Sequence, residues 1–332
     1  MIEKILRSVR DWASAGVLPN RFPNSRSMVH DYRLGSSTAE GVVHTLSEKQ
    51  IKEFNDSGYL LLEDAVTPSQ LAQLQRDMSA WSEESRAHEE NYGETINHKP
   101  RFDLDPTHST QHPALRRVNA PIEVSTAHFA VATDSRMVDA VADLIGPNVK
   151  LHHTKTNSKQ PNTVTAVKYH QDFPFTPHSN DDVVTALLFL DDIDEANGAL
   201  EVVPGSHRGP VHSIWSDGQF NGFIDEAIEQ QMRPQAKSLS GPAGSVCLMH
   251  TRLMHGSAPN ASDRPRTLFI CVYSADDAIP LSPNPMPHAH EGLLVRGART
   301  GKVRSMDFAL ELPQLPGGAS FFEQQQAALQ KD

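Results

Sequence analysis

The chain has 332 residues, 38% of them hydrophobic and 21% charged, with a formal net charge of −11. That composition supports a folded core and argues against wholesale disorder, while the acidic balance argues against a groove for nucleic acid, which needs clustered Lys and Arg. No run approaches the eighteen or so apolar residues of a membrane span, and two cysteines, Cys247 and Cys271, without CxxC spacing speak against structural zinc or a disulfide framework.

In chain order, "MIEKILRSVRDWASAG" lacks the uninterrupted apolar block of a secretory signal. Its apolar residues at 2, 5, 6, 9, 12 and 13 predict a short amphipathic helix within an N-terminal arm over 1–45. The terminal "LQKD" matches no retention or peroxisomal address, so a cytoplasmic setting is expected. Next, "TLSEKQIKEFNDSGYLLL" predicts a helix with Ser47 as N-cap, Gln50 completing a capping box, Gly58 as its end and a strand beyond. Thr67 and Pro68 open a second helix with apolar residues at 71, 74, 78 and 81. Residues 91–120 are polar and expected to be irregular, and 134–145 are expected to be helical. The whole of 46–146 then forms a helical segment packing on a barrel.

From 147 onward short β-branched runs alternate with Gly, Pro, Asn and Asp: "VKLHHTKTN", "TVTAVKYH", "DVVTALLFL", "ALEVVPG", "GSVCLMH" and "RTLFICVYS". Asn197-Gly198 between two of them signals a hairpin. The predicted fold is mainly β with flanking helices, its core over 147–275 a barrel or jelly roll. The Pro-rich remainder, 276–332, reads as a cap over the barrel mouth, and 46–332 as a single structural domain.

In "VKYHQDFPF", His170 and Asp172 are two residues apart, and on a strand such residues share a face. Two imidazoles and one carboxylate on one face of an octahedron are the ligand set of non-haem Fe(II) enzymes, with the opposite face open to a co-substrate and O2. "LMHTRLMHGSAPNASDRPRTLFI" offers His250 and His255 for the third place. His255 is the choice, because Ser257 shares its strand face and Arg266 opens the next strand. A buried Arg clamps a carboxylate through two parallel hydrogen bonds, which Lys cannot reproduce. The set suits iron-chelated 2-oxoglutarate. His250, five residues from His255, reads as structural, and the "PHAHEG" stretch with His288, His290 and Glu291 as an ordinary polar surface loop.

"YHQD", "NGALEVVPGSHRG", "HGSAPNASDRPR" and the block "LSEKQIKEFNDSGYLLLEDAVTPSQLAQL" resemble the signature blocks of the phytanoyl-CoA dioxygenase family of Fe(II)/2-oxoglutarate oxygenases, over roughly 46–275. The resemblance implies a double-stranded β-helix (jelly roll, cupin-like) core. It also implies iron held by His170, Asp172 and His255, and the distal carboxylate of 2-oxoglutarate held by Arg266 and Ser257. By similarity to ectoine hydroxylase, Asn157 would help hold the co-substrate, and His153 stands where that relative has Gln. Related halogenases have a small residue at the position of Asp172, so the carboxylate points to hydroxylation of an unactivated C–H bond, with release of succinate and CO2.

Further substrate contacts are expected from Lys168, which has the parity of His170 and Asp172, from Phe173 and Phe175 in place of an aromatic residue of several relatives, and from His207. The substrate is expected to be a small metabolite or natural-product intermediate rather than an acyl-CoA. Two rivals use the same barrel: a non-redox metal-dependent isomerase or hydrolase, and a catalytically inactive binding protein. Arg266 and Ser257 discriminate against the first, since a dicarboxylate anchor has no purpose there, and the intact ligand set against the second. Oligomeric state is not written in the sequence.

Overall fold

The first two helices start where their side chains dictate. In α1 (Glu48–Ser57) the Ser47 hydroxyl accepts from the Gln50 backbone N–H, and the Gln50 side chain accepts from that of Ser47 at 3.0 Å. Gly58 ends the helix at φ 82°, returning its N–H to the Phe54 carbonyl at 2.7 Å. Helix α2 (Pro68–Ser85) repeats the box with Thr67 and Gln70 and buries Leu74, Met78 and Trp81 along one face. Further on, the chain forms α3 (Thr126–Thr133) and α4 (Arg136–Ile145), so the helical reading of 134–145 captured α4 but not α3, whose N-cap is Ser125. A last short helix, α5, spans Glu226–Met232.

These elements come from a computed structural model that describes residues 44–161, 165–216 and 218–316. The helix expected at 2–13 lies outside the described residues. The strands in chain order are β1 (Tyr59–Leu62), β2 (Phe102–Leu104), β3 (Leu115–Asn119), β4 (Val149–Lys159), β5 (Val167–His170), β6 (Val183–Phe189), β7 (Leu200–Val202), β8 (Trp215–Ser216), β9 (Gln219–Phe220), β10 (Lys237–Leu239), β11 (Val246–His250), β12 (His255–Ser257), β13 (Arg266–Ala275) and β14 (Leu294–Arg296). Among the described residues they build a large antiparallel sheet in the order β1-β11-β6-β13-β4-β3-β2, with β14 beside β4, and a smaller one in the order β10-β7-β12-β5. The two sheets face each other as a jelly roll, the predicted class.

Period-two alternation decides what lies between them. Along β13, Phe269, Cys271 and Tyr273 point outward and pack with Leu74, Trp81, Met137, Val138 and Val141 of the helices. Leu268 and Ile270 point inward with Leu187 of neighbouring β6 and meet Leu200 and Val202 across the barrel. Every residue of β6 and β13 is buried, because helices cover one face and the second sheet covers the other.

Two expectations need correction. Residues 91–120 are not wholly irregular: β2 and β3 extend the large sheet from β4. The signal was masked by Arg116 and Arg117 inside "LRRVN"; Arg116 is buried and paired with buried Asp103 at 2.7 Å, so charge here does not mark surface. Asn197-Gly198 makes a turn but no hairpin, for β6 belongs to the large sheet and β7 to the small one. The turn carries the chain across the barrel. Among the described residues no helix is long and apolar enough to cross a membrane.

The α2 face against the sheet is expected to dominate local stability. Replacing fully buried Leu74 by Ala should cost about 2–5 kcal/mol, and Thr67→Ala, which removes only a cap, about 1 kcal/mol. Denaturant midpoints at unchanged slope would check the order, and an equal or reversed cost would contradict it.

Candidate active site

Strand pairing brings two distant histidines face to face. In the β5–β12 ladder His255 is the direct partner of His170, and their ring centroids stand 4.2 Å apart. Each ring is oriented by the same local device: His170 Nδ1 bonds the Lys168 carbonyl at 2.8 Å, and His255 Nδ1 bonds that of Leu253 at 3.0 Å. With Nδ1–H donating to a carbonyl, the Nε2 lone pair of each ring is left for a metal.

Asp172 arrives differently from the strand-parity reading. Strand β5 ends at His170, and Asp172 lies in the bend that follows, where its carbonyl accepts from the N–H of Phe175 at 3.0 Å. Gln171 turns away and is held by the Arg252 carbonyl at 2.7 Å and by the His212 N–H at 2.8 Å. The carboxylate is then fixed by Thr185 of β6, whose hydroxyl donates to Oδ2 at 2.7 Å. This leaves Oδ1 at 3.4 Å from His170 Nε2 and 3.7 Å from His255 Nε2. Their ligand atoms all lie within 4.8 Å of one another, and among the described residues this is the group able to hold a metal ion.

The protonation states suit that task. Burial pushes His255 down to about 4, so its ring is neutral at physiological pH. Burial opposes ionisation of Asp172, but the neighbouring His255 and His170 outweigh it and hold the carboxyl well below its usual range. Two imidazoles with Nε2 free and one carboxylate, on one side of a cavity, fit a divalent iron with open positions.

The same cavity is lined by Arg266, Ser257, Asn157 and His153. Arg266 is buried and donates through Nε to the Gly198 carbonyl at 3.0 Å and through Nη2 to Ser257 Oγ at 3.2 Å. Gly198 sits at φ 80°, and a Cβ there would come within 2.7 Å of the Ala258 carbonyl, so the close approach depends on glycine. Ser257 Oγ also accepts from Lys159 Nζ at 2.8 Å. With both acceptor positions used, its own proton is left to donate into the cavity. Lys159 was not singled out from sequence; burial and the adjacent Arg266 push it down to about 5. Even buried, Arg266 stays a cation at neutral pH, lowered only to about 10. Asn157 accepts from Arg117 Nε at 2.9 Å, and Arg117 itself lines the cavity from β3. His153 shares a 2.7 Å Nδ1–Nδ1 hydrogen bond with His152.

The remaining candidates divide. Phe175 lines the cavity, edge-on to His170 with centroids 5.5 Å apart. Phe173 does not line it; its buried ring packs against Phe308. Lys168 does not line it either, although it shares the parity of His170. Between the pairs His255–His170 and Ser257–Val167 the register shifts, so three steps of β5 match two of β12 and Val167 takes the inward place. His207 is buried outside the cavity, with Nε2 against the Asn55 carbonyl at 3.2 Å, which is loop packing rather than substrate contact. His250 is likewise apart, 3.9 Å from Asp181. His288 is not in a surface loop: it is buried and bonded to the His152 carbonyl. Pro285 and Met286, from the region read as a cap, line the cavity.

A jelly roll that gathers two imidazoles and a carboxylate beside a buried guanidinium defines a metal-dependent oxygenase type of site. Comparison with known proteins carries this further. The family model for phytanoyl-CoA dioxygenase matches residues 54–268. The probable alpha-ketoglutarate-dependent hypophosphite dioxygenase of Stutzerimonas stutzeri is 32% identical over 85% of this chain and 98% of its own length. The ectoine dioxygenase of Bordetella parapertussis is 25% identical over 69% of this chain and 76% of its own. The structure of EctD from S. alaskensis with 2-oxoglutarate and 5-hydroxyectoine shares the fold, with a TM-score of 0.58 at 22% identity, covering 81% of this chain and 89% of that one. The chain belongs to the phytanoyl-CoA dioxygenase family and is an Fe(II)- and 2-oxoglutarate-dependent dioxygenase.

Several buried imidazoles make the metal-free protein acid-sensitive. His255, His178 and His250 are each pushed down by burial to about 4, against about 6.5 when unfolded. Between those values the unfolded chain binds more protons, so stability is full above about pH 6.5 and declines as pH falls towards 4. The unfolding midpoint of the metal-free protein should therefore drop between pH 7 and pH 5; a flat or rising midpoint would refute the buried neutral state of these rings.

Proposed function

We propose that His170, Asp172 and His255 hold Fe(II), that Arg266 and Ser257 hold the distal carboxylate of 2-oxoglutarate with Asn157 nearby, and that the enzyme hydroxylates a small substrate at an unactivated bond to hydrogen. One observation carries this reading: a single cavity is lined both by the His-Asp-His group and by Arg266 with Ser257. When bound, iron, oxoglutarate and O2 supply the oxidising chemistry, with succinate and CO2 released. The chain's own part is orientation and exclusion. Backbone carbonyls hold the two ring tautomers, Thr185 holds the carboxylate, and Leu187, Leu200, Leu268 and Ile270 give the cavity an apolar wall that would flank a bound co-substrate.

A small substrate fits better than an acyl-CoA. The relative matched along nearly its full length is named for hypophosphite, others for proline and ectoine. Hypophosphite is therefore the first candidate, which would extend the expected C–H hydroxylation to a P–H bond; compact amino acids come next. A cytoplasmic setting belongs to the same proposal, in keeping with Cys247 and Cys271 both being buried free thiols.

The test is succinate release with iron and oxoglutarate across hypophosphite, L-proline, ectoine and related metabolites. One of them should stimulate release in the natural protein and none in Asp172→Ala. Arg266→Lys should raise the KM for oxoglutarate about 10- to 100-fold, because a charged bidentate contact is lost from a buried site. An unchanged KM would remove Arg266 from its role.

A further inference from the structure

Strand β4 presents His153, Lys155 and Asn157 to the cavity at alternate positions, and of these Lys155 has no role in the reading above. Its place is set by the ladder with β13: Lys159 pairs Arg266, Asn157 pairs Leu268, Lys155 pairs Ile270 and His153 pairs Val272. Val272 in turn pairs Thr185, the residue that holds Asp172. Lys155 is therefore four residues, about 13 Å of strand, from the rung where oxoglutarate would be anchored, and one inward rung from that of the metal group. Its charge acts on both Asp172 and His255.

Among the described residues the Lys155 ammonium makes no hydrogen bond and no ion pair, although the residue is half-buried in the cavity lining. An ammonium drawn partly out of water without a partner is costly, and burial together with neighbouring Arg117 lowers it to about 8, still largely charged at neutral pH. The charges of the site explain what it awaits. The two charges of Fe(II) are matched by Asp172 and one carboxylate of oxoglutarate, and Arg266 matches the other carboxylate. Lys155 is left over, at the iron end of the cavity.

We propose, resting on the reading of the site as an iron and oxoglutarate centre, that the primary substrate carries an oxyanion (a carboxylate or a phosphorus oxyanion) and that Lys155 pairs with it, setting the reacting bond against the iron. The lysine is a specificity-determining residue. It selects small anions over neutral or cationic molecules of the same size, and its long flexible stem, lined by Ile270 and Val272, accepts more than one anion geometry.

The experiment is calorimetry under nitrogen on the iron-loaded protein. Oxoglutarate is titrated first, and its complex is then titrated with hypophosphite, phosphite, L-proline and short carboxylates, each carboxylate beside its uncharged amide. At least one anion should bind, and its amide should not. Lys155→Met should weaken that anion about 10- to 100-fold while leaving oxoglutarate affinity within about twofold, and Lys155→Arg should restore most of the loss. Loss of oxoglutarate affinity in Lys155→Met with anion binding intact would give the lysine to the co-substrate instead and overturn the proposal. Failure of every anion to bind the oxoglutarate complex would overturn it as well. Failure of oxoglutarate itself to bind would instead sink the reading of the site on which the proposal rests.

Discussion

The antiparallel register of β12 against β5 sets His255 directly across from His170, and the rest of the site is arranged around that one pairing. Two imidazoles would clash or scatter if the register slipped by a residue, because a one-residue slip moves every side chain to the opposite face. The slip is resisted locally. Gly256, between His255 and Ser257, lies so close to Tyr169 that a Cβ there would fall 2.8 Å from its ring, and the Tyr169 hydroxyl is tied to Glu201 on β7 at 2.7 Å. The small sheet is thus pinned across three strands where the metal ligands emerge.

The other end of the cavity is governed by buried charge. Arg266 sits in an apolar interior beside Lys159, an arrangement that raises the energy of both cations when nothing anionic is bound. Gly198 and Ser257 offset part of that cost by accepting hydrogen bonds, and Lys159 yields by giving up its proton. What remains is a guanidinium held in a fixed place at the cavity wall. At the metal end Lys155 adds a further cation to the cavity lining, in a protein whose net charge is −11. Overall acidity says little about a pocket that faces inward.

Between these ends the large sheet acts as a rigid wall. Helices α2, α3 and α4 bury its outer face, which makes β6 and β13 buried on both sides and fixes their inward residues. The segment after β13 brings Pro285 and Met286 to the cavity. Strands carry the two imidazoles, and β6 steadies the carboxylate of the bend through Thr185, a division suited to a site that must hold its ligands in fixed positions.

The sequence by itself determined the capped helices, the six principal strands of the barrel, and the residues His170, Asp172, His255, Ser257 and Arg266 as one group. Caps, alternation and turn residues act over a few positions, and the functional residues stood in blocks dense enough to resemble a family. Tertiary structure alone decided the rest. The bulge in β5 exchanged Val167 for Lys168, a bend rather than strand parity aimed Asp172, and the Asn197-Gly198 turn joined two sheets instead of two neighbours. Likewise β3 brought Arg117 into the cavity, while Lys155 and Lys159 became significant only once β4 was paired with β13. A lysine on a strand reads the same whether its face meets solvent or a cavity, and only the pairing of distant strands, with its register, says which.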